Sequence, residues 1–352
     1  MTSNRVYTLT FHEVINVGAV LQAYALQQFL HNSGFECEIL NYRPRYFLWQ
    51  IYRPAKSLRR AVEKYRQLLK FRKFRRNHML VTSRSFQDIS GLPGFDDGAA
   101  IVCGSDQIWN RRLTGGRYDP VFFLGTPLNS RKIAYGGSAG GHRLSPDRDF
   151  IESHLREFHA IGTREEFLME DLVRCGVVPQ ATTVLDPSFL IRDYSQVIDT
   201  RYVPKDLKYI ASYEVSDDDT RADFQIHVQK IKKKLGLPVV HLGAKPIDGA
   251  DVTISCLGPG EWLGLLAGAE MVCTNSFHGV ALSINLERGL VFIPHLDSEK
   301  NARALGMLSR IGLEQLIYRG VDNLVDDHCR YSTVQMAEQV QASQSFLLEA
   351  LS

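Results

Sequence analysis

The chain has 352 residues, 44% hydrophobic and 23% charged, which is long for a single core and far from the composition of a disordered segment. Lysine and arginine number 41 against 39 acidic residues, so the net charge of +2 exerts no global pull toward nucleic acid. The six cysteines (37, 103, 175, 256, 273 and 329) stand singly, the first residues lack a leader pattern, and no apolar run has the length of a membrane span, so a cytoplasmic protein of two domains is expected.

Short β-branched runs alternate with helical patterns, as in parallel sheets built from βαβ units. Residues 6–10 read as a first strand. Asn16 and Gly18 open a helix on which Ala19, Ala23, Leu26 and Leu30 share a face, Ser33-Gly34 closes it, and residues 36–41 read as the next strand. Strands follow at 99–103 and 132–135, with helices at 152–159 and 165–174. The alternation restarts beyond Asp186-Pro187, with strands at 209–213, 239–242, 271–274 and 290–293 and helices at 301–311 and 333–350. The expected division is an N-terminal domain, 1–187, with a basic helical insertion over about 43–78, and a C-terminal domain, 188–352, whose last helix packs back on the first domain.

Between residues 43 and 76, thirteen lysines and arginines meet one acid, Glu63, with Tyr46, Phe47, Trp49, Tyr52, Tyr65, Phe71 and Phe74 interleaved. Two readings stand side by side. One is a solvated helical hairpin whose aromatic rings face the core; the other is a peripheral contact with anionic lipid at the inner face of the membrane. Nucleic acid fits less well, because the rest of the chain is not basic and carries no recognisable binding module.

In open parallel sheets ligands lie beyond the carboxyl ends of the strands, so the segments after the strands are the places to look for a site. Ser105, Asp106 and Gln107 follow the strand at 99–103, and the Asp106 carboxylate suits a proton acceptor for a sugar hydroxyl or a helix N-cap. His278 falls in the first turn of a helix capped by Asn275 or Ser276, where the dipole attracts anions; it suits an acid or base there, or a structural role. The glycine-rich run at 136–141 permits close backbone approach but lacks the ending of a P-loop. Arg164 and Arg303 each offer a fork for a carboxylate or phosphate, or a plain ion pair. No His, Cys and carboxylate cluster has metal-ligand spacing, and no nucleophile elbow is present.

Three motifs, Asn16-Val17-Gly18-Ala19-Val20-Leu21-Gln22-Ala23-Tyr24-Ala25-Leu26, Gly104-Ser105-Asp106-Gln107-Ile108-Trp109-Asn110 and Asn275-Ser276-Phe277-His278-Gly279, resemble in that order the polysaccharide pyruvyl transferase family. Ile133-Ala134-Tyr135, Arg164-Glu165, Leu185-Asp186-Pro187-Ser188-Phe189-Leu190 and Arg303 with Leu308 echo the same pattern. The resemblance implies an α/β fold of two Rossmann-like domains facing a central cleft, as in the glycosyltransferase-B class. It further implies transfer of a pyruvyl group from phosphoenolpyruvate to a hydroxyl pair on a cell-surface glycan or its lipid-linked precursor, with no cofactor beyond that donor and no metal. A catalytic histidine maps onto His278 and a donor-binding arginine onto Arg164.

The expected site therefore comprises His278 and Asp106 as catalytic groups, with Arg164, Asn16, Gly18, Ser105, Gln107, Asn275, Ser276 and Arg303 binding substrate. Ser276 stands where better-described members carry arginine, so either Arg303 or Lys300 supplies that cation or the donor differs. Two rival functions share the architecture: a glycosyltransferase using a nucleotide sugar, and a noncatalytic glycan-binding relative.

Overall fold

A computed structural model describes residues 4–55, 57–95, 98–125, 130–176, 181–215, 218–324 and 331–352; Lys56 of the basic stretch and Cys329 lie outside them. The chain divides into two compact units. One comprises Met1–Arg53, Arg75–Ile191 and Ala337–Ser352, the other Pro54–Phe74 and Arg192–Met336.

In the first unit, β1 (Arg5–Leu9), β2 (Glu36–Tyr42), β3 (Val81–Phe86), β4 (Ala100–Cys103), β5 (Arg131–Gly137), β6 (Ala160–Thr163) and β7 (Thr182–Thr183) form a parallel sheet of order β3-β2-β1-β4-β5-β6-β7. Between them in the chain come α1 (Val17–Asn32), α2 (Arg45–Tyr52), α4 (Arg148–Leu155) and α5 (Glu166–Arg174), with α3 (Leu58–His78) crossing from the second unit back into the first. Every residue of β4 is buried, which is what a strand covered by helices on both faces requires. The register levels Leu9 with Cys103 and Cys103 with Ala134, so the loops after β1, β4 and β5 leave the sheet side by side. Trp109, Phe122 and Phe123 fill the core beneath these loops.

The second unit builds a smaller parallel sheet from β8 (Ile210–Tyr213), β9 (Val239–Leu242), β10 (Val252–Ile254), β11 (Met271–Thr274) and β12 (Gly289–Phe292), in the order β10-β9-β8-β11-β12. Its helices are α6 (Asp218–Leu235), α7 (Pro259–Ala267), α8 (Phe277–Asn285) and α9 (Ser298–Arg310). Tyr213, Thr274 and Phe292 share one register row at the carboxyl edge. In both sheets the chain first winds to one side of its opening strand and then returns to the other. The switch lies between β1 and β4 in the first unit and between β8 and β11 in the second.

Three features depart from the expected division. The boundary falls after Ile191, a few residues beyond 187. Most of the basic helix α3, within Pro54–Phe74, groups with the second unit rather than forming an insertion in the first. The helix read at 152–159 spans Arg148–Leu155 instead, because Phe158 and His159 lead into β6. The last helix, α10 (Val334–Leu351), joins the first unit from Ala337 onward: the Ser343 hydroxyl accepts the Leu185 N–H at 2.9 Å and Arg131 donates to the Ala350 carbonyl at 3.2 Å. Among the described residues no helix is long and apolar enough to cross a membrane.

Candidate active site

At the β1/β4 switch of the first unit, the two strand ends are tied by a short polar chain. Gln22, buried on α1, donates to the Thr10 hydroxyl at 2.9 Å, and Thr10 in turn donates to the Ser105 carbonyl at 2.8 Å. Asn16 caps α1, its side-chain oxygen accepting the Ala19 N–H at 3.2 Å, and Gly18 is buried in the first turn of that helix. Both belong to the structure of the strand-to-helix turn, as the N-cap pattern of α1 requires.

The segment after β4 does not form a helix, so the capping alternative for Asp106 does not apply. Asp106 has a positive φ of 72°, and its carboxylate accepts the Gln107 N–H at 2.8 Å. The same Asp106 oxygen, Oδ1, lies 3.6 Å from the Arg164 guanidinium. Arg164 also reaches Asp186 at 2.8 Å and Glu165 at 3.7 Å, with its side chain only 2% exposed. Burial alone would lower the guanidinium pKa, but the Asp186, Glu165 and Asp106 carboxylates outweigh it and hold the pKa above its ordinary value. Ser105 donates to Asp186 at 3.2 Å and Ser138 to Glu165 at 2.5 Å. Three strand ends thus converge on one buried cation.

The glycine-rich run after β5 is filled by the protein itself. A Cβ on Gly137 would stand 2.7 Å from the Trp109 ring, and one on Gly140, where φ is +67°, would stand 2.1 Å from the Gln107 side-chain oxygen. That same oxygen accepts from Asn110 at 2.7 Å. Gln107 is therefore held in the wall of the loop, and close approach of the two loops accounts for the glycines.

In the second unit the β8/β11 switch is closed by Asn275, whose side-chain oxygen accepts the Val215 N–H at 2.7 Å. Ser276 caps α8 by accepting the Gly279 N–H at 3.4 Å, while the Thr274 hydroxyl accepts the Ser276 N–H at 3.0 Å. His278 occupies the first turn of α8 and is 8% exposed. Its ring lies edge to face with Phe277, and the Arg303 guanidinium of α9 stands 5.5 Å from the centre of the same Phe277 ring. The expected residues Asn275, Ser276, His278 and Arg303 thus gather about one helix N-terminus, whereas Lys300 is exposed on α9.

A family model for polysaccharide pyruvyl transferases matches residues 16–298. The chain belongs to that family. Membership places it among the transferases of polysaccharide biosynthesis. No curated protein sequence matches it. Among solved structures it is similar to a UDP-GlcNAc 2-epimerase from Neisseria meningitidis, at 8% identity and a TM-score of 0.50 over 99% of each chain. A putative UDP-N-acetylglucosamine 2-epimerase from Listeria monocytogenes is similar at 10% identity and a TM-score of 0.50, over 99% of this chain and 91% of that one. The glycosyltransferase SnogD from Streptomyces nogalater aligns over 99% and 96% of the two chains at 13% identity and a TM-score of 0.40. At such identities the epimerase likeness is one of fold, and it agrees with the expected pair of Rossmann-like units of the glycosyltransferase-B class.

Within this family member, two polar residues at the β1/β4 switch were not singled out by sequence reasoning. His12 is buried, and one ring nitrogen, Nδ1, lies 3.3 Å from the Thr10 carbonyl. A carbonyl can only accept, which puts the ring proton on Nδ1 and a lone pair on Nε2. That nitrogen and the Gln22 side-chain oxygen are buried without a hydrogen-bond partner among the described residues. Burial, helped by Arg75 and Arg43 against Glu13, pushes the His12 pKa down to about 4. The available signal was position alone, since His12 lies just past the end of β1.

Proposed function

We propose that the protein transfers the pyruvyl group of phosphoenolpyruvate to a pair of hydroxyls on a sugar, at the cytoplasmic face of the membrane. The observation that carries this reading is His278 in the first turn of α8, within a chain that belongs to the pyruvyl transferase family. The donor's phosphate and carboxylate bind toward the N-terminus of α8, where the helix dipole favours anions, with Arg303 as the added cation in place of the arginine that Ser276 replaces. Arg164 suits this anion poorly, because three carboxylates already surround it within 3.7 Å. Its ion pairs hold the loop that carries Asp106 within the first unit.

In the proposed reaction the terminal carbon of the donor's double bond gains a proton and becomes a methyl group while a sugar hydroxyl adds to the central carbon. A second hydroxyl then displaces phosphate at that carbon and closes a cyclic ketal. Of the two protons lost by the sugar, one balances the methyl group and the other leaves with phosphate. His278 exchanges the proton at the donor; a positioned acid or base of this kind contributes roughly 10²- to 10⁴-fold.

The test combines thermal stability with phosphate release. Phosphoenolpyruvate is expected to raise the melting temperature where nucleotide sugars do not, and Arg303→Met to remove that shift. With aryl hexosides offering neighbouring hydroxyl pairs, His278→Gln is expected to keep the melting temperature and lower phosphate release by at least about a hundredfold. A shift with nucleotide sugars alone would instead assign glycosyl transfer.

A further inference from the structure

α3 carries two apolar stripes on opposite faces. Leu68, Phe71 and Phe74 are buried, at 6%, 0% and 6% exposure. Leu58, Val62, Tyr65 and Leu69 recur at helical intervals along the same helix yet stand 82%, 41%, 60% and 44% exposed. At about 100° per residue these four lie within about 60° of one another, with the centre of their stripe roughly opposite the buried one. An ordinary surface helix presents charge on that outer face.

The basic residues of α3 frame the outer stripe. Arg66 and Lys73 flank it on one side and Arg72 on the other, while Arg76 continues it by one turn; all four are exposed. α3 holds nine lysines and arginines against Glu63 alone, whereas the whole chain holds 41 against 39, so everything outside this helix is net acidic. The inner face is anchored: Lys70 pairs with Glu261 of α7 at 2.6 Å, and the Lys70 Cβ lies 3.0 Å from where a Cβ on Gly258 would stand. The helix is thereby fixed in rotation with the outer stripe turned away from the protein.

We propose that this face of α3 docks on an anionic lipid bilayer, with Leu58, Val62, Tyr65 and Leu69 entering the headgroup boundary and the flanking cations meeting lipid phosphates. An apolar centre within a basic rim matches that interface, where buried side chains and headgroup attraction act together. Nucleic acid has no use for three exposed aliphatic side chains in the middle of its footprint. A second copy of the chain would set one strongly basic helix against another, and like charges so placed oppose association. Docking through α3 is independent of the chemistry of the site and serves any acceptor drawn from the membrane surface.

The experiment is sedimentation of the full chain with vesicles of phosphatidylcholine, with and without phosphatidylglycerol, at low and raised salt. The wild type is expected to sediment with the phosphatidylglycerol vesicles and to be released as salt increases. The variant Leu58→Ser/Val62→Ser/Leu69→Ser should bind at least about tenfold more weakly at an unchanged melting temperature, because all three side chains are exposed. Arg66→Glu/Lys73→Glu, which keeps the apolar stripe, should lose the preference for phosphatidylglycerol. Wild-type protein that stays in the supernatant with anionic vesicles overturns the proposal. So does equal binding by both variants and wild type, or a self-association in sedimentation velocity that the serine variant abolishes.

Discussion

Arg164 meets Asp186 across 2.8 Å with both side chains buried, and the same carboxylate accepts from Ser105. This pair joins the end of β6 to the segment beyond β7 and holds the loop after β4 between them. Removing the cation leaves the Asp106, Glu165 and Asp186 carboxylates facing one another without the charge that Arg164 sets between them. Arg164→Met is therefore expected to cost about 3–5 kcal/mol of stability, the usual penalty for breaking a buried pair on one side. Arg164→Met/Asp186→Asn should recover part of the loss, because it also removes a stranded charge. Denaturant unfolding of the two variants and the wild type measures both quantities.

Gly279 sits where a Cβ would approach the Thr274 hydroxyl to 2.4 Å, and that hydroxyl accepts the Ser276 N–H. Gly279→Ala should cost about 1–3 kcal/mol by overpacking the first turn of α8. Thr274→Ala removes the obstructing atoms, so the alanine at 279 should cost markedly less in that background. Equal costs in both backgrounds would show that the contact does not fix this turn. A double-mutant cycle read by unfolding supplies the answer.

The Asn275 side chain bridges the loop after β11 to the Val215 N–H, at 2.7 Å. Asn275→Ala is expected to cost about 1 kcal/mol, the net worth of a typical hydrogen bond. Amide exchange at Val215 should accelerate severalfold, while exchange within the buried strand β11 follows only the change in global stability. Unchanged exchange at Val215 would mean that the loop after β8 is held by something else.

Most interior strands were legible because each carries a short buried apolar run between turn residues. β9 and β11 fall at the bounds read from the sequence, Val239–Leu242 and Met271–Thr274. β6, Ala-Ile-Gly-Thr, escaped because Gly162 breaks its apolar run, and β3, β7 and β10 escaped for want of one. β3 reads Val-Thr-Ser-Arg-Ser-Phe and is largely exposed at the sheet edge, β7 has two residues and β10 three, so none carries an apolar run. In the site, Ser276 and His278 were legible because cap and first turn are local features of one sequence segment. The surroundings of Arg164 were not, since Asp106 and Asp186 arrive from distant strand ends through the sheet register. Asp106 was read with helix capping as an alternative, which fails because the chain there turns at positive φ and forms no helix.

His12 and His241 give the stability a defined pH dependence. Burial lowers both imidazoles from the ordinary value of 6.5 to about 4, with Arg75 and Arg43 adding to the effect at His12 and Arg221 at His241. Between those two pH values the unfolded chain binds a proton at each position and the folded chain does not, so stability falls as the pH drops through this window. At pH 5 each group should cost about 2 kcal/mol relative to neutral pH, and below about pH 4 the loss from each levels off near 3 kcal/mol. His12→Gln and His241→Gln should each remove their own share of the slope, and together most of what these two groups contribute. The direct check is an NMR titration of the imidazole Hε1 protons. Resonances that stay in the neutral position down to about pH 5 carry the prediction, and midpoints near the ordinary histidine value would sink it.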